Sequence, residues 1–145
     1  MLVIAALLSN TAQAGPAIGA EYLLSFNIGD GAAEVLGDGI AGRIGWSLDL
    51  LAITFTPEVG ATVWLENRRF VPEVGVRMQF AKIIEPGLYA HFIAPTFSGA
   101  QTGWDAGVTV DLTAIPKVDI GLQAGAMSFD GNPFVTAGGT LHVNL

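Results

Sequence analysis

The strongest constraint on the fold is an alternation of apolar and polar side chains that runs from residue 17 to residue 145. In the first segment Tyr22, Leu24 and Phe26 fall on one face, whereas Glu21 and Ser25 fall on the other. The alternation divides into about eight segments of roughly 10 residues, which is typical of strands that span a membrane. An even number of antiparallel strands can close without leaving an unpaired edge. The pattern therefore predicts an all-β fold, an eight-stranded antiparallel up-and-down transmembrane β-barrel.

Composition supports a membrane environment. Hydrophobic residues make up 51% of the 145 residues, only 13% are charged, and the mean hydropathy is +0.53. No uninterrupted apolar run approaches the roughly 20 residues of a membrane-spanning helix, so the apolar residues are expected in alternating strands. A net charge of -7 with only six Lys and Arg argues against a nucleic-acid partner, whose phosphates require a basic surface. The absence of cysteine excludes disulfides and thiolate metal sites.

The first residues predict export. Residues 2–8 form a short apolar run, and small residues at Ala12 and Ala14 match a signal-peptidase site. We expect residues 1–14 to be a signal peptide and residues 15–145 to form the barrel domain. No Lys or Arg precedes the apolar run, which is a departure from the usual pattern, and an ordinary N-terminal helix is the alternative.

The predicted connections alternate in length, as in outer-membrane barrels. Long connections are predicted at 29–38, 65–69, 95–102 and 128–133, and short ones at 50–52, 81–83 and 113–116. The long set would lie outside the cell and the short set in the periplasm. Aromatic residues would mark the two membrane interfaces: Phe26, Phe70, Phe92, Trp104 and Phe134 on the outer side, and Trp46, Phe55 and Phe80 on the inner side.

A soluble barrel is the alternative that periodicity alone leaves open. Its apolar face would line a cavity for a small hydrophobic ligand, as in lipocalins, and its polar face would meet water. The polar face of this chain is rich in Gly, Ser and Thr rather than in Lys and Glu. Small residues suit the narrow interior of an eight-stranded barrel, so we favour the membrane barrel.

Four segments carry a resemblance to a known type of protein. They are the related sequences at 56–60 (Thr-Pro-Glu-Val-Gly) and 71–75 (Val-Pro-Glu-Val-Gly), the sequence Pro-Gly-Leu-Tyr-Ala-His at 86–91, and the alternating C-terminal strand. With its overall pattern, the chain resembles the small eight-stranded outer-membrane barrels of Gram-negative bacteria. The resemblance implies a bacterial outer-membrane location, contact with outer-membrane lipid, and insertion by the outer-membrane assembly machinery. That machinery prefers an aromatic final residue, and Leu145 departs from this signal.

The inward charges are the candidate functional residues. Arg77 and Glu58 lie near the middle of two neighbouring predicted strands and are within reach of a salt bridge. A charge in a narrow lumen is costly unless it is paired, so interior acids require interior bases. We predict a structural lumen charge network, with a gated pore or an ion pathway as its alternative: Glu21, Arg43, Glu58, Glu73, Arg77 and His91.

No reaction is predicted. His91 and His142 share the inward parity, and Glu85, Asp119 or Ser25 could in principle complete an acid–base set. The two histidines are expected at opposite ends of their strands, however, and no catalytic or phosphate-binding motif occurs. We therefore assign no catalytic, cofactor or metal residues. An enzyme at the lipid interface is a minor alternative.

Two local features do not fit regular strands. Pro57 and Pro72 cannot donate to a ladder and predict a bulge, a strand start or a local widening. The acidic residues of the first predicted loop are interpreted as a solvated rim, not a calcium site: Asp30, Glu34 and Asp38.

The expected function is a structural or surface-interaction role through the outer loops. A general porin is not expected, since the lumen is too narrow.

Overall fold

The computed structural model describes residues 14–29, 32–50, 52–80, 84–96, 99, 101–129 and 132–145. These residues form eight strands: β1 (Ala14–Gly29), β2 (Ala32–Leu50), β3 (Ile53–Trp64), β4 (Arg69–Phe80), β5 (Ile84–Ile93), β6 (Gly103–Ile115), β7 (Val118–Phe129) and β8 (Asn132–Asn144). The predicted signal peptide lies outside the described residues except for Ala14, which begins β1. Within the described ranges, no helix has the length and apolar character needed to cross a membrane.

The strands close into a barrel in sequence order. Each strand pairs antiparallel with the next, and β8 pairs with β1 through a ladder from Ala17↔Asn144 to Phe26↔Val135. Closure leaves no strand edge with unpaired backbone N–H and C=O groups, which is what a membrane requires. The predicted eight-stranded, all-antiparallel barrel is confirmed.

The two faces of the strands have opposite surroundings. On β6 the apolar Val108 and Val110 are 52% and 49% exposed, whereas the intervening Thr109 is 1% exposed. Neighbours in a strand point to opposite sides, so the apolar set covers the outside and the polar set fills the lumen. A lipocalin-like barrel requires the reverse arrangement, and the structure does not favour that alternative.

We call the end of the barrel that holds Ala14 and Leu145 the base and the opposite end the top. Connections at the base span 51–52, 81–83 and 116–117, and those at the top span 30–31, 65–68, 94–102 and 130–131. Two predicted long loops were wrong: residues 29–38 and 128–133 lie mostly within paired strands. The turn predicted at 113–116 begins later, because β6 continues to Ile115 past a register shift.

A β-bulge explains why the sequence predicted a loop at residues 29–38, where strand β2 in fact begins at Ala32. The β1–β2 register steps from Ser25↔Gly37 to Phe26↔Val35, so Leu36 has no partner residue on β1. The extra residue reverses the alternation, which makes the segment read as a loop. Gly37 has a φ of 148°, a conformation that side chains disfavour.

Because the strands of the first hairpin are longer than predicted, the acidic residues assigned to its loop also change position. Asp38 lies in β2 and accepts a hydrogen bond of 2.9 Å from the Tyr22 hydroxyl. Asp30 lies outside the described residues, and Glu34 belongs to β2. Asp38 is therefore a strand residue, not part of a loop rim.

The two prolines lie within continuous registers. The β3–β4 ladder runs without a shift through Pro57↔Val76 and Ala61↔Pro72. On its other side, the β2–β3 ladder has a gap opposite Pro57 but keeps its register from Gly45↔Glu58 to Leu48↔Phe55. Of the three predicted distortions, a bulge and a strand start are absent at both prolines, since no residue is inserted and both lie inside their strands. The gap in pairing opposite Pro57 matches the third, a local widening.

An apolar cluster fills the lumen near the top, and we call it the plug: Leu23, Ala41, Trp64, Val71, Ile93 and Met127. Phe134 packs against the plug, with its ring edge-on to Trp64 at a centroid distance of 5.7 Å. The prediction that Phe134 marks the outer membrane interface was therefore wrong. Its even position in β8 shares the inward parity of Thr136 and Thr140, both buried.

Candidate functional site

Strands β1 to β5 each contribute inward charges to the middle of the lumen, below the plug. The six residues predicted from the sequence are all buried and lie within one connected set of contacts: Glu21, Arg43, Glu58, Glu73, Arg77 and His91. We keep the name lumen charge network for them. What the network does for the protein remains a prediction.

Arg43 joins three strands. Its Nε and Nη2 donate to Glu21 Oε1 and Oε2 at 3.0 and 3.1 Å, the paired geometry that guanidinium and carboxylate favour. Its Nη1 donates to Glu73 Oε2 at 2.8 Å. Asp105 Oδ2 lies 3.8 Å from Nη2. One guanidinium therefore neutralises carboxylates from β1 and β4 and lies near a third on β6.

Arg77 is the second buried guanidinium. Its Nη2 donates to Glu21 Oε1 at 2.5 Å, and its Nε lies 3.6 Å from Glu58 Oε1. The guanidinium carbon lies 5.8 Å from the centre of the Tyr89 ring. Glu21 thus lies between the two arginines. Without it, their positive charges would repel each other in a low-dielectric space.

His91 is surrounded by carboxylates. Its Nε2 lies 2.7 Å from Glu58 Oε1. Its Nδ1 lies 3.5 Å from Asp105 Oδ2 and 3.7 Å from Glu73 Oε2. Tyr89 stacks on the imidazole at a centroid distance of 5.4 Å, which fixes the plane of the ring.

The repeated Pro-Glu-Val-Gly sequences pair with each other across β3 and β4. Glu58 lies opposite Gly75, and Gly60 lies opposite Glu73. A Cβ at Gly60 would meet Arg43 Cγ at 2.9 Å, and one at Gly75 would collide with His91. Each glycine therefore leaves the space that a large charged side chain from the neighbouring strand occupies.

Several partners of the network were not predicted. Asp105 lies directly opposite His91 in the β5–β6 register. Thr62 donates to Glu73 at 2.5 Å, Gln123 donates to Glu21 at 3.0 Å, and His142 Nε2 lies 3.9 Å from Glu21. Inward parity was their signal, but parity alone does not say which inward residues of different strands share a level.

A second polar group lies toward the base. Asp111 accepts hydrogen bonds from Gln79 at 3.1 Å and from Thr140 at 2.6 Å. Below it a cavity of about 310 Å³ opens at the base, lined mainly by polar residues, including Ser47, Asp49, Gln79, Glu85, Asp119 and Asn144.

The structure brings none of the suggested acid–base partners to His91. Ser25 donates to the backbone oxygen of Gly37, Glu85 accepts from Thr113, and Asp119 accepts from Asn144. The carboxylates around His91 are instead Glu58, Glu73 and Asp105.

Acids outnumber bases in the described part of the lumen. Buried carboxylates come from Glu21, Glu58, Glu73, Asp105, Asp111 and Asp119, whereas the buried guanidiniums are Arg43 and Arg77. Two histidines add at most one positive charge each. When these carboxylates are ionised, the described part of the lumen therefore carries a net negative charge.

Comparisons with known proteins identify the fold. No family model matches the chain, and no curated protein matches it. The crystal structure of Neisserial surface protein A (NspA), an eight-stranded outer-membrane barrel, is similar with a TM-score of 0.58 at 14% identity; the match covers 92% of this chain and 99% of NspA. A de novo designed transmembrane β-barrel is similar with a TM-score of 0.50 at 14% identity, covering 93% and 100% of the two chains. The protein therefore has the fold of the small eight-stranded transmembrane β-barrels.

Proposed function

We propose that this protein is an integral protein of the bacterial outer membrane whose lumen is structural and whose interactions are made at the top. The observation that carries the proposal is the contrast between faces: half-exposed apolar side chains surround a lumen of buried ion pairs. An apolar exterior of this kind suits contact with lipid, since soluble monomers rarely expose large continuous apolar patches and membrane barrels carry an outward apolar band.

The lumen contents support a structural role. Arg43, Arg77 and their carboxylates cross-link opposite walls, and the plug lies above them. An eight-stranded barrel has room for little beyond its own side chains. We therefore propose neither a general porin nor a catalytic activity. The buried ion pairs instead join consecutive strands, as Arg43–Glu21 does between β1 and β2, and non-consecutive strands, as Arg77–Glu21 does between β1 and β4.

Orientation follows from the expected export of the chain. With the base in the periplasm, the connections at 65–68 and 94–102 would face the outside, where an interaction with another molecule is possible. The turn after β3 exposes Leu65, Glu66, Asn67 and Arg68. The proposed partners are outer-membrane lipid and the assembly machinery; the described residues identify no extracellular partner.

Fractionation of the expressed full chain tests the location. We expect recovery in the outer membrane and, in detergent, a folded species that migrates differently on an electrophoresis gel before and after boiling. A soluble monomer in the periplasm or medium would contradict the proposal, because the apolar exterior would then have to be covered by something other than lipid.

Conductance in planar bilayers tests the filled lumen. The reconstituted barrel should show no steady open channel, since charged side chains and the plug occupy its cross-section. The control is a Trp64→Ala, Leu23→Ala variant, which thins the plug. Steady porin-like conductance of the unmodified barrel would refute the structural role of the lumen.

A further inference from the structure

We propose that the lumen contains a binding site for one divalent transition-metal cation, formed by Glu73, His91 and Asp105. These residues come from three consecutive strands, β4, β5 and β6. One potential ligand atom from each lies within 4.8 Å of the other two. Imidazole and carboxylate together favour ions such as Zn²⁺, Co²⁺ or Mn²⁺ over Mg²⁺.

The separations suit a small cation. His91 Nδ1 lies 3.5 Å from Asp105 Oδ2 and 3.7 Å from Glu73 Oε2. Ligands bound tetrahedrally at about 2.0–2.2 Å lie roughly 3.4 Å apart. The two separations from His91 are close to that spacing, and all three ligand atoms lie within 4.8 Å of one another. A water molecule would supply the fourth ligand.

The hydrogen bond between Glu58 and Nε2 of His91 leaves Nδ1 facing the carboxylates of Asp105 and Glu73. Nε2 is held by Glu58 at 2.7 Å, whereas Nδ1 has no hydrogen-bond partner among the described residues. A carboxylate on one ring nitrogen that leaves the other for the metal is the usual outer-shell arrangement of metal-binding histidines. The Glu58 contact therefore sets the tautomer in which Nδ1 carries the lone pair toward Asp105 and Glu73.

Asp105 provides a second unpartnered atom. Its Oδ1 makes no hydrogen bond to the described residues, and the residue is 2% exposed. A buried, unpartnered carboxylate oxygen is costly unless something unseen satisfies it. The oxygen that faces His91 is Oδ2, so a cation at the site would remove that cost by binding both oxygens of the carboxylate.

Arg43 and Thr62 would form the outer shell of Glu73. Thr62 donates to Oε1 and Arg43 to Oε2, so the carboxylate is held in place before a metal arrives. Arg43 is mainly engaged by Glu21, and its approach to Asp105 is 3.8 Å. A divalent cation here would also offset the excess of buried carboxylates over guanidiniums.

A protonated His91 without a metal is the competing arrangement. Both ring nitrogens would then donate toward carboxylates, and the site would carry one positive charge instead of two. The two arrangements differ in bound metal, which can be counted directly.

The experiment uses the untagged full chain, folded in detergent, treated with a chelator and then dialysed against Zn²⁺ or Co²⁺. We expect one metal ion per folded barrel by elemental analysis, and visible absorption of bound Co²⁺. Asp105→Asn and His91→Gln should abolish binding, and Glu58→Gln should weaken it about 10–100-fold by replacing the carboxylate at Nε2 with a neutral acceptor. His142→Gln is the matched control, because it removes the other lumen histidine and leaves all three ligands.

Folding is scored separately by the heat-modifiable band, and only variants that fold are compared. Asp105→Asn preserves the shape of the side chain and tests the site alone if His91→Gln does not fold. Absence of stoichiometric metal in the unmodified barrel, or equal loss in His142→Gln and Asp105→Asn, would overturn the site. Either result leaves the proposed membrane location standing.

Discussion

Replacing Arg43 with alanine is expected to destabilise the barrel severely. The guanidinium makes two hydrogen bonds to Glu21 and one to Glu73, all between side chains that are almost completely buried. Its removal leaves Glu73 without a cationic hydrogen-bond donor and Glu21 with Arg77 as its remaining guanidinium partner. Breaking a buried ion pair from one side costs about 3–5 kcal/mol, since the remaining charge is uncompensated.

Arg43→Lys separates charge from geometry. Lysine keeps the positive charge but cannot reproduce the fork that meets both oxygens of Glu21. We expect an intermediate loss of unfolding free energy. The second partner is tested in a double-mutant cycle with Glu21→Gln, for which we expect a coupling energy of about 1–3 kcal/mol.

The assay is equilibrium unfolding by guanidinium chloride in lipid vesicles, followed by tryptophan fluorescence and by the heat-modifiable band. Lys117→Gln is the control, because Lys117 is exposed in the turn at the base. A loss below about 1 kcal/mol for Arg43→Ala, or strict additivity with Glu21→Gln, would refute the view that these ion pairs hold the lumen together.

Two further predictions concern packing. Trp64→Ala should lower the unfolding free energy by about 3–5 kcal/mol by opening a cavity in the plug, whereas Trp64→Phe should cost less than about 1.5 kcal/mol because it also removes a buried indole N–H that lacks a partner among the described residues. Equal losses in the two variants, measured by the same unfolding assay, would contradict this. Gly60→Ala should impair folding because its Cβ would meet Arg43 and the backbone oxygen of Gly42, while Gly42→Ala, with nothing within 4 Å of its Cβ, should fold normally. The fraction of heat-modifiable protein measures both, and similar yields would contradict the close approach at Gly60.

The fold was predictable because the alternation within each strand indicates its two faces without information from any other strand. The alternation at Thr109 and its neighbours reports two environments without reference to any other strand, and the structure confirms it. The same local reasoning failed where the phase changed. A single unpaired residue, Leu36, reversed the alternation of β2, and Phe134 was assigned outward although its parity is inward.

The partners within the lumen were harder to predict because they depend on register. His91 and Asp105 are neighbours only because β5 and β6 align them, and Glu58 faces Gly75 only because β3 and β4 do. A strand's own pattern shows which side chains point inward but not their level relative to the next strand. The plug was missed for the same reason: its residues come from different strands, such as Val71 from β4 and Ile93 from β5, and the alignment of the strands brings them to one level.

The central claim is that the apolar face meets lipid while the other face is sealed inside. The three tryptophans test it: Trp46 and Trp104 are 51% and 48% exposed on the outer face, and Trp64 is 5% exposed in the plug. Three single-tryptophan variants, with the other two changed to Phe, are folded into vesicles containing brominated lipids. Strong quenching of Trp46 and Trp104, with Trp64 protected from both brominated lipid and acrylamide, is the predicted result. Quenching of Trp64 as strong as that of Trp104, or protection of all three from brominated lipid, would contradict it.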